Sequence, residues 1–420
     1  MGFAQGVSGL NASASNLDVI GNNIANSGTI GFKSGTAQFS DVYAGSRVGL
    51  GTQVAGVSQN FTSGAVQTSS RALDVAIVNG DGFFRLASPG GEVAYSRNGQ
   101  FNLDKDGFIV NSAGLQLTGY PVGANGSVAG GSPAPLQLPT TAMQPNSTQN
   151  IAAQFNLDSR SASIPAATAF DASNSTTYNY ANAVTVYDSL GNSHELSTFF
   201  VKDPAVNTWN VFATADGKPL ATGGAFAPAP PAAGNNGTAI ASGVTFDGNG
   251  ALTSPANGKM LFAGLDFANG STPMNFTLDM TGTTQFGNVN DVKKLTQDGY
   301  TSGTLTSFAI NQDGTVTGKY SNEQAKALGQ IVLSSFVNPN GLQPKGDNVW
   351  AETSASGQPL TGTPGAGTKM GALTSGALEA SNVDLTSELV NLIIAQRTYQ
   401  ANAQTVKTQD QVMQTLVNMR

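Results

Sequence analysis

Apolar residues near the N-terminus follow a helical period. Phe3, Leu10, Leu17 and Ile24 recur every seven residues, and Val7, Ala14 and Ile20 fill most of the positions between them. This spacing predicts an amphipathic helix ending near Asn26, with an imperfect heptad seam. Gly6, Gly9 and Gly21 lie inside it, each costing up to about 1 kcal/mol against Ala, so the isolated helix is marginal. The C-terminus carries a clearer pattern. Leu385, Leu392, Tyr399, Val406 and Met413 recur at seven, while Leu389, Gln396, Ala403, Asp410 and Val417 hold the other heptad position. Neither Pro nor Gly interrupts residues 381–420. Ser381 and Asp384 have capping-box spacing, with Asp in place of Glu or Gln. The prediction is a helix of roughly 35–40 residues with one apolar stripe, in which the polar Gln396 and Asp410 set register or partner number.

Between the ends the period falls to two and turn residues multiply. Residues 27–70 and 357–380 are rich in small polar residues and Gly and read as extended connectors. Leu73–Val78 and Phe83–Ala87 read as strands around an Asn79–Gly80 turn. Asn98–Gly99, Asp106–Gly107 and Asp313–Gly314 read as further hairpin-type turns. Val184–Tyr187, Leu196–Val201 and Trp209–Ala213 are strands, and Ala221–Asn236, rich in Ala, Pro and Gly, is a loop. The predicted fold is therefore mainly β, with nested β-domains inserted between N- and C-terminal α-helices that pair as a coiled coil in a polymer. The expected division is a terminal helical domain (1–26 with 381–420), an extended connector (27–70 with 357–380), an inner β domain (71–145 with 297–356) and an outer β domain (146–296).

Composition narrows the functional classes. Charged residues make up 11 % of the 420 positions, against about 25 % in an ordinary soluble domain. Lys and Arg total 19 and the net charge is −7, with no basic run, which argues against nucleic-acid binding. No apolar run reaches the ~18 residues of a membrane span, so no membrane insertion is expected. The chain has no Cys and one His, which removes disulfides, thiolate metal sites and most His-dependent catalysis. The N-terminus lacks the basic and continuous apolar regions of a cleaved signal peptide.

Candidate chemistry dissolves on inspection. Asn102-x-Asp104-x-Asp106-Gly107 resembles half a calcium loop, but Ala113 stands where a bidentate Glu is needed, so it reads as a β-turn. Gly80-Asp81-Gly82 lacks the third Gly of a dinucleotide fingerprint. His194 sits where a turn meets a strand, with no nucleophile elbow in the sequence, and reads as a surface or turn histidine. A non-enzymatic protein without cofactors or metal is expected. What remains is the pair of terminal heptad stripes. Fully burying one such side chain is worth about 1.5–3 kcal/mol, and an isolated pair leaves its outer stripe bare until assembly covers it.

Several motifs carry a resemblance. Asn22-Asn23-Ile24-Ala25-Asn26 followed by Gly31-Phe32-Lys33 resembles the signature of the bacterial flagellar rod and hook protein family, with Gly28 where many members have Asn. Leu73-Asp74-Val75-Ala76-Ile77, Gly82-Phe83-Phe84 and Tyr95-Ser96-Arg97-Asn98-Gly99-Gln100-Phe101 are similar to the same group. So are Leu378-Glu379-Ala380-Ser381-Asn382-Val383-Asp384-Leu385, Glu388-Leu389-Val390 and Gln396-Arg397-Thr398-Tyr399-Gln400-Ala401-Asn402. Within the family, Val184 to Asn192 and Asn338-Pro339-Asn340-Gly341-Leu342 before Gly346-Asp347-Asn348 resemble the hook members.

That resemblance implies a subunit of the flagellar hook, self-assembling into a curved, flexible helical tube that transmits motor torque and encloses an export channel. Phe3, Leu10, Leu17, Ile24, Leu385, Leu389, Leu392, Tyr399, Val406, Met413 and Val417 are the expected subunit-interface residues. Asn22, Asn23, Asn26, Gly31, Phe32, Lys33, Asn382, Asp384 and Arg397 are the family-motif residues. The implied partners are further copies of the chain, the distal rod protein, the hook–filament junction proteins, the hook cap and the flagellar type III export apparatus. The implied location is extracellular, reached without signal-peptide cleavage. The ends are expected to order on assembly, and the weakly charged outer domains to slide past one another. A distal rod or other axial component, and a secreted adhesin with a coiled-coil stalk, are the alternative readings.

Overall fold

The computed structural model describes residues 2–42, 49–123, 126–128, 130–227, 239–365 and 369–418. Helix α1 spans Gly2–Ala25 and helix α2 spans Leu385–Asn418. Among the described residues the regular structure between them is strand, apart from short 3-10 turns. Helix α1 ends where its apolar period stops, and the Asn26 side-chain amide donates back to the Asn22 carbonyl at 2.9 Å. Helix α2 begins later than the capping-box spacing at Ser381 predicts. Asp384 is the cap, its Oδ1 accepting from the Thr386 and Ser387 amides at 2.9 and 3.2 Å. The Ser381 hydroxyl faces the Val383 amide and Asn382 is tied to Ser34, so these residues are held outside the helix. Among the described residues no helix is long and apolar enough to cross a membrane.

The chain forms two compact units. The first takes in the chain up to Thr140, Leu305–Lys319 and everything from Ala325 on. Its main sheet draws strands from both sides of the intervening segment. Gln116–Pro121 pairs with Phe83–Ala87 on one side and with Ala325–Ile331 on the other. Val93–Ser96 pairs with Val349–Ala351. Below this sheet the outgoing and returning chains run antiparallel, Val75–Val78 against Ala372–Ser375 and Val66–Thr68 against Ala377–Glu379. The segment predicted as extended contains a hairpin, Gly35–Asp41 with Thr52–Gln59. Phe84, Leu86, Phe101, Ile109, Leu117, Ile331 and Leu333 are fully buried in the core. Asn98–Gly99 is not a hairpin turn. Gly99 runs under Val75 and accepts its amide at 3.0 Å, because Val93–Ser96 takes its neighbours from Phe83–Ala87 and Val349–Ala351 instead. Asp104 does make the expected turn, its Oδ1 accepting from the Asp106 and Phe108 amides.

The second unit, Thr141–Thr304 with Tyr320–Gln324, packs two sheets face to face. Asn150–Asp158 lies inside one, parallel to Met274–Asp279 and Thr284–Phe286 and antiparallel to Asp291–Gln297. Tyr180–Tyr187, Ser193–Lys202, Thr208–Ala215 and Ala241–Phe246 form a meander in the other. Phe155 and Phe200 meet edge to face with ring centres 5.0 Å apart. Trp209 is fully buried, its indole N–H donating to Gln285 at 3.0 Å.

His194 is not the surface residue expected from its turn. It is buried, stacked on Phe267 at 3.5 Å between ring centres, with Nδ1 2.7 Å from Asp216 and Nε2 3.3 Å from Asp188. The stacking partner lies far along the chain, beyond the reach of a local reading. Burial alone would raise the Asp188 carboxyl, but hydrogen bonds from Asn192, Asn269 and His194 outweigh it and hold the group well below its ordinary value of 3.8. A depressed folded-state value means stability that is present above 3.8 and lost as pH falls through the folded value. In Asp188→Asn that acid dependence disappears. The urea midpoint of the second unit should therefore lie below wild type near neutrality, with the gap closing in acid.

Candidate functional site

Helices α1 and α2 pack antiparallel, Gly6 facing Val406 and Gly9 facing Asn402. The contact is close because small residues line it. A Cβ on Gly6 would lie 2.8 Å from Val406 Cγ2, and one on Gly9 would lie 2.9 Å from the Asn402 side chain. Ala12, Ser13, Ile20 and Asn23 continue the buried face of α1. The glycines that weaken the isolated helix thus let its partner approach. On α2 the less exposed positions are Glu388, Leu392, Ala395, Asn402, Ala403, Val406 and Gln409. The intrachain seam therefore keeps Leu392 and Val406 of the first series but takes its second position from Ala395 and Asn402.

The large apolar residues lie elsewhere. Leu389 is 44 % exposed, Ile394 57 %, Met413 59 % and Val417 71 %. Phe3, Leu385 and Tyr399 are also exposed, while Leu10, Leu17, Ile24, Leu392 and Val406 are half-buried. Between α1, α2 and the Gly35–Asp41 hairpin runs an open groove of about 760 Å³, lined by Ala12, Ile20, Phe39, Ile394 and Ala395 among others. Among its described lining residues only Glu388 carries a charge.

The roots of both helices meet at a buried ionic node. Glu379 Oε1 lies 2.6 Å from Lys33 Nζ, and its Oε2 lies 3.1 Å from Arg97 Nη1, with all three side chains at most 2 % exposed. The Gly64 amide donates to Glu379 Oε1 at 2.9 Å, and Lys33 also donates to the Thr62 carbonyl at 2.8 Å. Burial pushes the Lys33 ammonium below its usual value, against the pull of Glu379. The Gly31 amide donates to the Glu379 backbone carbonyl at 2.8 Å. Gly31 has φ +70°, and a Cβ there would come within 2.7 Å of the Asn98 nitrogen, so only glycine fits both the conformation and the space.

Amide side chains extend the clamp. Asn23 is buried and bonds both the N–H and the C=O of Gly35 at 2.8 Å, as a neighbouring strand would. Asn382 accepts from the Ser34 amide and donates to the Asn60 carbonyl at 2.8 and 2.7 Å. Asn348 reaches the Ile30 carbonyl. Of the motif residues, Asn23, Gly31, Lys33 and Asn382 converge on this clamp, Asn22 and Asn26 cap α1 through each other, and Asp384 caps α2. Phe32 is half-buried and Arg397 is exposed. Glu379 and Arg97 are the functional residues that sequence reasoning passed over. The available signal was their position inside motif blocks of a chain with so few charges.

Glu379→Gln leaves two buried cations without a counter-charge. A loss of about 3–5 kcal/mol is expected, read as a lower urea midpoint for the first unit. Adding Lys33→Met should recover part of it, since the two effects are coupled.

Family models match at residues 5–33 (flagella basal body rod protein), 77–159 (flagellar hook protein FlgE/F/G D1 domain), 156–300 (flagellar basal body protein FlaE D2 domain) and 374–419 (flagellar basal body rod FlgEFG protein C-terminal). The flagellar hook protein FlgE of Escherichia coli K12 is 49 % identical over 423 residues, and that of Salmonella typhimurium LT2 is 50 % identical over 423, each alignment covering 100 % of both chains. The FlgE of Borreliella burgdorferi is 33 % identical over 460 residues, covering 99 % of this chain and 98 % of the relative. A crystal structure of Helicobacter pylori flagellar hook protein FlgE2 matches with a TM-score of 0.50 at 14 % identity, over 73 % of this chain and 98 % of that one, a likeness of fold. With a clamped helix pair at its termini, nested β units between them and full-length identity at this level, the chain belongs to the flagellar hook protein family.

Proposed function

We propose that the α1–α2 pair is the tube-forming element of this structural, non-enzymatic subunit of the extracellular flagellar hook. The observation that carries the reading is the apolar stripe left bare on α2. A helix of 34 residues is roughly 50 Å long at 1.5 Å per residue. Leu385, Leu389, Ile393, Ile394, Met413 and Val417 are exposed along it while small residues fill the intrachain seam. Exposed apolar side chains clustered near both ends of one helix mark an interaction site, and further copies of the chain supply the matching surface. Phe3, Leu10, Leu17 and Ile24 on α1, with Leu385, Leu389, Tyr399, Met413 and Val417 on α2, form the interface between subunits, while Leu392 and Val406, expected there too, serve the seam within the chain. Helices around the axis enclose the export channel. The segments next to them (27–70 with 357–380) act as connectors, and the β domains (71–145 with 297–356, and 146–296) form the outer layers of a curved tube that carries torque.

The distal rod protein, hook–filament junction proteins, hook cap and type III export apparatus are the partners this placement requires, the first two at the ends of the same helical lattice. Contacts between outer layers of such low charge slide without breaking ion pairs, which suits a flexible joint.

Leu389→Glu combined with Met413→Glu tests the reading. Both positions are exposed, so monomer stability should stay within about 0.5 kcal/mol of wild type. Polymer formation, followed by sedimentation and electron microscopy, should be lost. Polymers of normal length from the double variant would overturn it.

A further inference from the structure

We propose that Asn269–Gly270, in the second unit, is a site of spontaneous covalent modification, where deamidation releases a loop held by the Asp188–His194 cluster. The reaction needs a nucleophilic backbone nitrogen on the following residue, an activated side-chain carbonyl and access for water. Gly after Asn supplies the first with the least hindrance. Of the six Asn–Gly pairs among the described residues, Asn269–Gly270 combines all three.

The Asn269 Oδ1 accepts the Ser271 amide at 2.9 Å. That donor polarises the Cγ carbonyl and stabilises the oxyanion that forms when Cγ is attacked, as preorganised amides do in acyl transfer. Gly270 is exposed, a Cβ there would meet nothing within 4 Å, and its own amide donates no hydrogen bond. The other pairs each lack one requirement. Asn98 has the same polarising contact, from the Gln100 amide at 3.0 Å, but Gly99 is buried beneath the Val75 carbonyl. The amides of Gly250, Gly258 and Gly341 are occupied by the carbonyls of Asp247, Pro255 and Asn338. Gly80 is packed against the backbone of Gly371, where a Cβ would lie 2.6 Å from Gly371, so its nitrogen lacks the open surroundings of Gly270.

In the reaction the Gly270 nitrogen gives up its proton to solvent base and bonds to Asn269 Cγ. The Cγ–Nδ2 bond breaks, Nδ2 takes a proton from water and ammonia leaves, closing a five-membered succinimide. Water then opens the ring at either carbonyl to give aspartate or isoaspartate. One water enters and one ammonia departs, so no oxidant or reductant is needed.

The consequence follows from what Asn269 holds. Its Nδ2 donates to Asp188 Oδ2 at 2.7 Å, the oxygen that also faces His194. Deamidation replaces this donor with a second carboxylate at contact distance, and like charges there repel. The loop bearing Phe267 then keeps the Thr272 amide to Ser189 Oγ tie at 2.9 Å but loses its anchor beside the stacked His194.

The test is peptide mapping of the full-length folded protein aged in mildly alkaline buffer, with fragmentation that distinguishes isoaspartate. A gain of about 1 Da should appear at Asn269 roughly tenfold faster than at Asn98 or Asn249, reflecting the activated and accessible geometry. In urea, where every pair is unfolded, the rates should converge. Asn269→Gln, which cannot close the five-membered ring readily, should abolish the modification at this site and keep the fold. Equal rates in the folded protein, or faster reaction at any of the other five pairs, would overturn the proposal.

Discussion

A single buried carboxylate fixes how the ends of this chain meet. Glu379 lies in a short strand ahead of α2, while Lys33 follows α1 and Arg97 directly follows the strand Val93–Ser96 of the main sheet. Taking these charges out of water costs several kcal/mol per ion, and mutual attraction returns about as much only when the geometry is good. The net contribution to stability is therefore modest, but its directionality is not. A carboxylate with partners on both oxygens tolerates one relative placement of its neighbours. The same residue's backbone carbonyl holds Gly31, so the segment leaving α1 and the strand entering α2 are held at one point.

From these roots the spacing of the helices follows. Gly6 and Gly9 let Val406 and Asn402 come close, and the larger apolar residues of α2 are left on its outer faces. Around the node, amide side chains do what ion pairs do in other proteins. Asn23 stands in for a strand neighbour at Gly35, and Asn382 joins Ser34 to Asn60. This use of neutral groups is a physical reason for a chain that is 11 % charged. An amide bonds backbone at nearly the same geometry as another peptide and is buried at lower cost than an ion.

The sequence carried the local features well. The end of α1, the strand Phe83–Ala87, the Val184–Tyr187 half of the strand Tyr180–Tyr187, and the Asp104 turn were legible because their determinants lie within a few residues. The nesting was legible from helical periods at both termini. What stayed hidden depends on distant partners. Glu379 and Lys33 are 346 positions apart, so neither announces the other. His194 looked exposed because its turn is polar, but Phe267 covers it from another loop. The cap of α2 moved from Ser381 to Asp384 because Asn382 is bound across the connector, a constraint that a capping pattern cannot express. The second seam position on α2 went to Ala395 and Asn402 because close packing favours small side chains over the Leu389 series.

The two kinds of contact in this chain suit two different demands. Inside the subunit, charged and amide groups with fixed geometry hold the helix roots rigid, since a charge-assisted bond at 2.6 Å weakens steeply when its angle changes. The outer helix faces also present Leu, Ile, Val and Met side chains, whose burial is rewarded by area and not by direction. An apolar face can shift along a partner with little change in the area covered, whereas an ion pair must break to move. A subunit that fixes its helix roots with a few buried charges and leaves apolar side chains on its outer helix faces can therefore keep that helix pair intact while its contacts with neighbours adjust, which suits a bending tube.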